Sequence, residues 1–209
     1  MAYSDQEEVD KLKEWWKNYG GALLVGVVLG LALLFGNKYW QEYREEQRLE
    51  ASALYARMLD EAQAGKTEAA RASGETLVQE YDGTPYAGLA ALMLARLALE
   101  DGDAAAARAR LEWAVANATD PPVQHAARLR LGRLHLAAGE YEAALALVQA
   151  QAPGFEAEYL ELKGDAHVAL AQPEAARAAY EQALEHLAPQ EPAYGLIRMK
   201  LDDLGRAAA

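Results

Sequence analysis

Cysteine is missing from the 209-residue chain, which excludes a disulfide scaffold, a thiolate zinc site and a thiol nucleophile. Residues that favour strands are scarce as well, with one Ile, four Thr and two Phe, so extended sheet has little to build on. Basic charge is short: 20 Lys and Arg stand against 32 Asp and Glu, a net charge of -12. Such a surface repels a phosphate backbone, so no nucleic-acid partner is expected. No phosphate-cradling Gly loop, His-Glu-x-x-His or Gly-x-Ser-x-Gly pattern occurs, so no enzymatic activity, cofactor or metal is expected either. What the chain has in abundance is Ala, 47 residues, and that favours helix almost everywhere. The expected class is all-α, one ordinary domain plus an appendage.

The appendage is expected at the N-terminus. Between Lys17 and Lys38 lie 20 uncharged residues centred on an apolar run of Leu, Val and Gly, and a helix of that length covers ~30 Å, one bilayer core. Trp15, Trp16 and Tyr19 precede the run and Tyr39, Trp40 and Tyr43 follow it, as two interfacial aromatic belts would. The reading is therefore a short amphipathic segment over residues 1–17, a single N-terminal transmembrane helix over 18–37, and a large acidic domain over 38–209. A cleaved signal peptide is the alternative, but Asn37, Lys38, Tyr39 and Trp40 make a poor small-residue cleavage site. Three basic residues flank the run on each side, so charge alone does not orient it. Gly26 and Gly30 form a GxxxG, a candidate helix-docking face.

The domain shows self-similarity. In the segment 157–190, Gly164, Ala176, Tyr180 and Ala183 fall at the small, small, aromatic and small positions of a 34-residue tetratricopeptide repeat. Gly132 with Ala144 and Ala95 with Ala107 keep the same separation upstream, with turns at Asp101-Gly102-Asp103 and Ala138-Gly139-Glu140. A fourth, weaker pair precedes them, turning at Gly65-Lys66-Thr67. The expected fold is a tetratricopeptide-like α-solenoid whose last repeat crosses at Gly164 and Ala176. Asp103 and Thr84 are the expected N-caps, and a C-terminal helix over 193–204 is the expected cap of the stack. His135 and His167 recur at one place in successive repeats, where packing is a better explanation than metal binding.

With no chemistry to assign, what remains is a surface for polypeptides. The first helix of each pair would line an inner face with Leu89, Leu92, Arg96 and Leu99, then Leu129, Arg133 and Leu136, then Glu161, Asp165 and Val168. Exposed Leu there would form a trough for a helix or an unfolded stretch; the alternative is that these leucines pack between repeats.

Several stretches carry a resemblance. The acidic N-terminal segment, the Gly-Ala-Leu-Leu-Val run from Gly21, the exit at Tyr39-Trp40, the segment Thr84 to Leu92, the motif around Gly164 and the stretch Met199 to Leu204 resemble the YfgM family, ancillary subunits of the bacterial SecYEG translocon. The resemblance implies a non-catalytic, single-pass protein of the bacterial inner membrane, its N-terminus cytoplasmic and its repeat domain periplasmic. It also implies three partners: the SecYEG translocon, a membrane-anchored periplasmic chaperone of the PpiD type, and exported polypeptides. The function expected is that of an adaptor or chaperone-like subunit in protein secretion. An envelope-stress regulator acting through residues 1–17 is the alternative.

Overall fold

The computed structural model describes the backbone of residues 2–149 and 152–207, and the side chains of these residues apart from 2–8, 12, 22–29, 32, 206 and 207. The described chain is helical throughout: α1 (Ala2–Gln63), α2 (Thr67–Glu80), α3 (Pro85–Glu100), α4 (Ala104–Asn117), α5 (Pro121–Ala137), α6 (Tyr141–Leu147), α7 (Glu156–Ala169), α8 (Pro173–Glu185) and α9 (Pro192–Ala207). Pro stands in the first turn of α3, α5 and α8, where its missing N–H costs nothing and its φ suits a helix start. Two compact units result, Met1–Leu49 and Glu50–Ala209.

The first unit is built on α1 alone. Among the described residues, no helix is long and apolar enough to cross a membrane. This overturns the expected transmembrane helix over 18–37, and with it the placement as a single-pass inner-membrane protein with a cytoplasmic N-terminus and a periplasmic domain. The described side chains of that stretch are Asn18, Tyr19, Gly20, Gly21, Gly30, Leu31, Leu33, Leu34, Phe35, Gly36 and Asn37. Gly and Asn make up most of them, so they form no long apolar stretch. Residues 22–29 and 32, which carry much of the apolar run, lie outside the described side chains.

The second unit is a stack of helix pairs, and its turns set the register. Gly65, Gly102, Gly139 and Ala171 all have positive φ, with spacings of 37, 37 and 32 residues read from the sequence. At each turn an N–H closes back on the carbonyl five residues earlier: Lys66 on Glu61 at 2.9 Å, Asp103 on Ala98 at 2.8 Å, Glu140 on His135 at 2.9 Å and Gln172 on His167 at 2.8 Å. This satisfies a carbonyl at each helix end that would otherwise lack a donor. Five residues after each left-handed position stand Ala70, Ala107, Ala144 and Ala176, all fully buried.

The same register explains why the first pair reads poorly in sequence. Seven residues before each left-handed position stand Met58, Ala95, Gly132 and Gly164, and nine after it stand Gly74, Leu111, Val148 and Tyr180. Three pairs place the small residue on the first helix, whereas the first pair reverses the order. At Gly74 a Cβ would lie 2.7 Å from Met58 Cε and 2.9 Å from Leu94 Cδ2, so the missing side chain makes room for Met58. In the last pair it is Tyr180, not Ala176, that sits on Gly164: a Cβ there would lie 2.2 Å from Tyr180 Cε1.

Three apolar clusters fill the stack. The largest runs from Ala51 and Met58 through α2, α3 and α4 to Leu131 of α5. Leu129, Ala152, Tyr159 and Leu162 form the second, and Ala176, Tyr180, Ala183, Ile197 and Leu201 join α8 to α9 in the third. The C-terminal helix therefore covers the open end of the last repeat, as the apolar face of a terminal repeat requires.

Candidate functional site

Capping details position the groove. Asp103 Oδ1 accepts the Ala106 N–H at 2.9 Å, the expected N-cap of α4. Thr84 stands at the N-cap of α3, but its hydroxyl donates to the Tyr81 carbonyl at 2.8 Å and makes no cap bond. His135 and His167 both serve the turns. Nδ1 of His135 meets Glu140 Oε2 at 2.5 Å and Nδ1 of His167 meets Gln172 Oε1 at 2.7 Å, so each ties a first helix to the start of the second. Glu140 also accepts from Arg108 at 3.0 Å, and the hydrogen bonds from Arg108 and then His135 hold its carboxyl below the usual carboxylate range. Among the described residues, no group of three or more His, Asp or Glu is arranged to hold a metal ion.

The inner-face residues divide into three rows across the repeats. Leu92, Leu129 and Glu161 occupy one row and are buried, at 8%, 5% and 9% exposure. Arg96 and Arg133 occupy the next, both exposed, followed by Asp165. Leu99, Leu136 and Val168 form the third; Leu99 is 46% exposed and Val168 44%, with Leu136 packed against the second cluster. Leu89 packs against the first cluster.

An open groove of about 570 Å³ lies between α3, α4 and α5, lined by Leu92, Ala95, Arg96, Leu99, Leu111, Arg130, Arg133, Leu134 and Ala137. Four residues expected on an inner face thus meet in one place: Leu92, Arg96, Leu99 and Arg133. Leu129 does not join them, because it turns toward Tyr159 and Leu162. Arg130 was not anticipated, although its spacing of three from Arg133 puts both on one face of α5. Leu111 and Leu134 come from neighbouring helix faces that only the packing brings together.

Glu161 and Asp165 are not open groove positions. Lys200 of α9 donates to Glu161 Oε1 at 2.7 Å and to both Asp165 oxygens at 2.7 and 2.8 Å, while the Tyr180 hydroxyl donates to Asp165 Oδ1 at 2.7 Å. Burial works against the ammonium charge, but hydrogen bonds to Asp165 and Glu161 outweigh it and raise the Lys200 pKa. Burial, reinforced by Asp165, raises that of Tyr180. The terminal helix thus closes the last repeat with charge as well as with apolar surface.

Comparison with known proteins places this architecture. A family model described as a tetratricopeptide repeat-like domain matches residues 13–206. The chain is 34% identical over 207 residues to the ancillary SecYEG translocon subunit of Haemophilus influenzae, covering 98% of this chain and 100% of that one. The chain belongs to the YfgM family. Proteins of the same name in Aggregatibacter actinomycetemcomitans and Escherichia coli are 30% identical over 105 residues and 31% identical over 93, covering 49% and 44% of this chain and 51% and 44% of theirs.

Within this YfgM-family chain the expected belt residues all lie on α1. Trp15, Trp16, Tyr19, Tyr39, Trp40 and Tyr43 are all exposed. Trp15 packs near Tyr19 and Trp40 near Tyr43, with ring centroids 6.0 and 6.1 Å apart. With no span shown between them, their reading as interfacial belts loses its basis. Gly30 is exposed and a Cβ there would meet nothing within 4 Å; the side-chain surroundings of Gly26 lie outside the described residues.

Proposed function

We propose that this chain is a non-catalytic adaptor of the SecYEG translocon that contacts polypeptides through its repeat domain, with a PpiD-type chaperone and exported chains as its partners. The observation that carries this reading is the open groove between α3 and α5, where Leu92 and Leu99 lie beside Arg96 and Arg133. A groove of about 570 Å³ falls within the ~300–1,000 Å³ usual for sites that hold a ligand, so it takes an anchor segment rather than a folded domain. The family relationship supports the translocon as the place of action, since the relatives are named ancillary SecYEG translocon subunits.

The test is site-specific photocrosslinking in cells from full-length chain. A photoreactive residue replacing Leu99 should give adducts identified as a translocon subunit, a PpiD-type chaperone or an exported polypeptide. The same residue replacing exposed Glu185 of α8 should give few. Adducts at Glu185 matching those at Leu99, or none from Leu99, would overturn the groove as the contact surface.

A further inference from the structure

The groove has a charge opposite to that of the protein around it. The whole chain carries -12, yet the groove lining contains Arg96, Arg130 and Arg133 and no carboxylate. Each of these Arg residues is exposed. Arg96 lends its Nε to Glu100 Oε1 at 2.8 Å on the same helix, and Arg133 reaches Glu161 only at 4.0 Å. Among the described residues no carboxylate lies within ion-pair distance of Arg130. Glu161 and Asp165, the nearby acids of the next repeat, both bind Lys200, which offsets one of their two negative charges and turns them toward α9.

We infer that the groove selects an acidic, aliphatic segment of a partner polypeptide, its Leu-like side chains seated on Leu92, Leu99, Leu111 and Leu134 and its carboxylates held by Arg96, Arg130 and Arg133. This deepens the adaptor reading and rests on it. Arg130 and Arg133 stand three apart on α5 and Arg96 faces them from α3, so the cations flank an apolar floor rather than forming one patch. Guanidinium groups pair with carboxylates through two parallel hydrogen bonds, which fixes register as well as charge. The acidic exterior does not forbid this, because charges beyond ~8 Å are screened at physiological salt while the three Arg residues act at contact. A nucleic-acid strand is a poor fit: the lining holds no aromatic ring on which a base would stack.

The test uses full-length chain and three fluorescein-labelled short peptides that differ only in their charged positions: paired Leu alternating with paired Glu, the same with Gln for Glu, and the same with Lys for Glu. The acidic probe should bind about tenfold tighter than the Gln probe, the Lys probe weakest, with the acidic preference shrinking as salt is raised. Arg130→Gln with Arg133→Gln should cut the preference severalfold, to what Arg96 alone supplies, with the thermal midpoint unchanged, since both side chains are at the surface. Equal affinity for the acidic and Gln probes, or a preference undiminished by the double substitution, would overturn the inference. A photoreactive residue replacing Leu99 separates the two levels. Crosslinks to acidic and Gln probes alike leave the groove standing and remove its selectivity, whereas crosslinks to no probe remove both. Probe displacement by a second copy of this chain, seen as concentration-dependent self-association in sedimentation, would also overturn the assignment.

Discussion

Replacing Gly164 with Ala adds one methyl group where the structure has no space for it. The new Cβ would lie 2.2, 2.5 and 2.8 Å from Tyr180 Cε1, Cδ1 and Cζ, so the ring has to move. Tyr180 is 2% exposed, and its hydroxyl donates to Asp165 Oδ1 at 2.7 Å, an atom also held by Lys200 at 2.7 Å. Overpacking of this kind costs ~1–3 kcal/mol, and displacement from a charged acceptor adds ~1.5–3 kcal/mol. Ala returns ~1 kcal/mol through its better helix propensity in α7. The net expectation is a loss of about 3 kcal/mol, or roughly 6–12 °C in thermal midpoint for a unit of this size. Urea and thermal melts of the full chain by circular dichroism measure it. Gly195 of α9 is the control: nothing lies within 4 Å of a Cβ there, so Gly195→Ala should gain ~0.5–1 kcal/mol. Adding Tyr180→Leu to Gly164→Ala should recover part of the loss, with a coupling of ~1 kcal/mol or more. If Gly164→Ala behaves like Gly195→Ala, or if the second substitution gives no relief, the account of this crossing is refuted.

The first repeat offers a milder contrast, because the Cβ of Gly74→Ala would press on the free ends of Met58 and Leu94; a loss of ~1 kcal/mol is expected in the same melts, against ~2–5 kcal/mol for Met58→Ala, which empties a fully buried site. Ala171 is the left-handed position without Gly, at φ 56, so Ala171→Gly should raise the thermal midpoint by a gain of about 0.5–1 kcal/mol, the αL strain less the chain entropy of Gly. Lys200→Met leaves Glu161 and Asp165 facing each other with only Arg133, 4.0 Å from Glu161, as a counter-charge, and denaturant titration should show a loss of ~1–3 kcal/mol, discounted from the fully buried case because the site is partly open; adding Glu161→Gln should recover part of it. Stability should also depend on acid: the carboxyls of Glu61, bonded by Ser73 and then Arg57, and of Glu140 are held below the ordinary 4.5. The unfolded chain therefore takes up protons first, so their contribution is complete above about 4.5 and is lost as pH falls through the folded values. Thermal midpoints across that window should fall less steeply in Glu140→Gln, and an unchanged slope would count against the Arg108 and His135 pairing. The raised Lys200 pKa has the opposite sense, its contribution being present below about 10.5 and lost as pH rises through the folded value.

Much of the repeat domain is written locally. Ala-rich composition, Pro at helix starts and Asp103 as an N-cap follow from backbone preferences that need no distant partner, and the small residues at 95, 132 and 164 with their Ala partners twelve positions later mark three repeats without coordinates. The family is legible in such local stretches too, among them Thr84 to Leu92 and Met199 to Leu204. Tertiary structure decided the rest. Met58 opposite Gly74 hides the first repeat, because close packing constrains the sum of two facing volumes rather than either residue alone. That is also why Tyr180 and not Ala176 covers Gly164. Leu92 and Leu129 occupy equivalent positions in sequence, yet only Leu92 reaches the groove, because Leu129 is drawn into the cluster with Tyr159 and Leu162. Glu161 and Asp165 read as open inner-face acids until Lys200 folds back on them from 39 and 35 residues away. The stretch 18–37 reads as a span by its lack of charge, but no helix among the described residues is long and apolar enough to cross a membrane. Periodicity fixes which way a side chain faces on its own helix; what meets it there depends on neighbours that only the folded chain supplies.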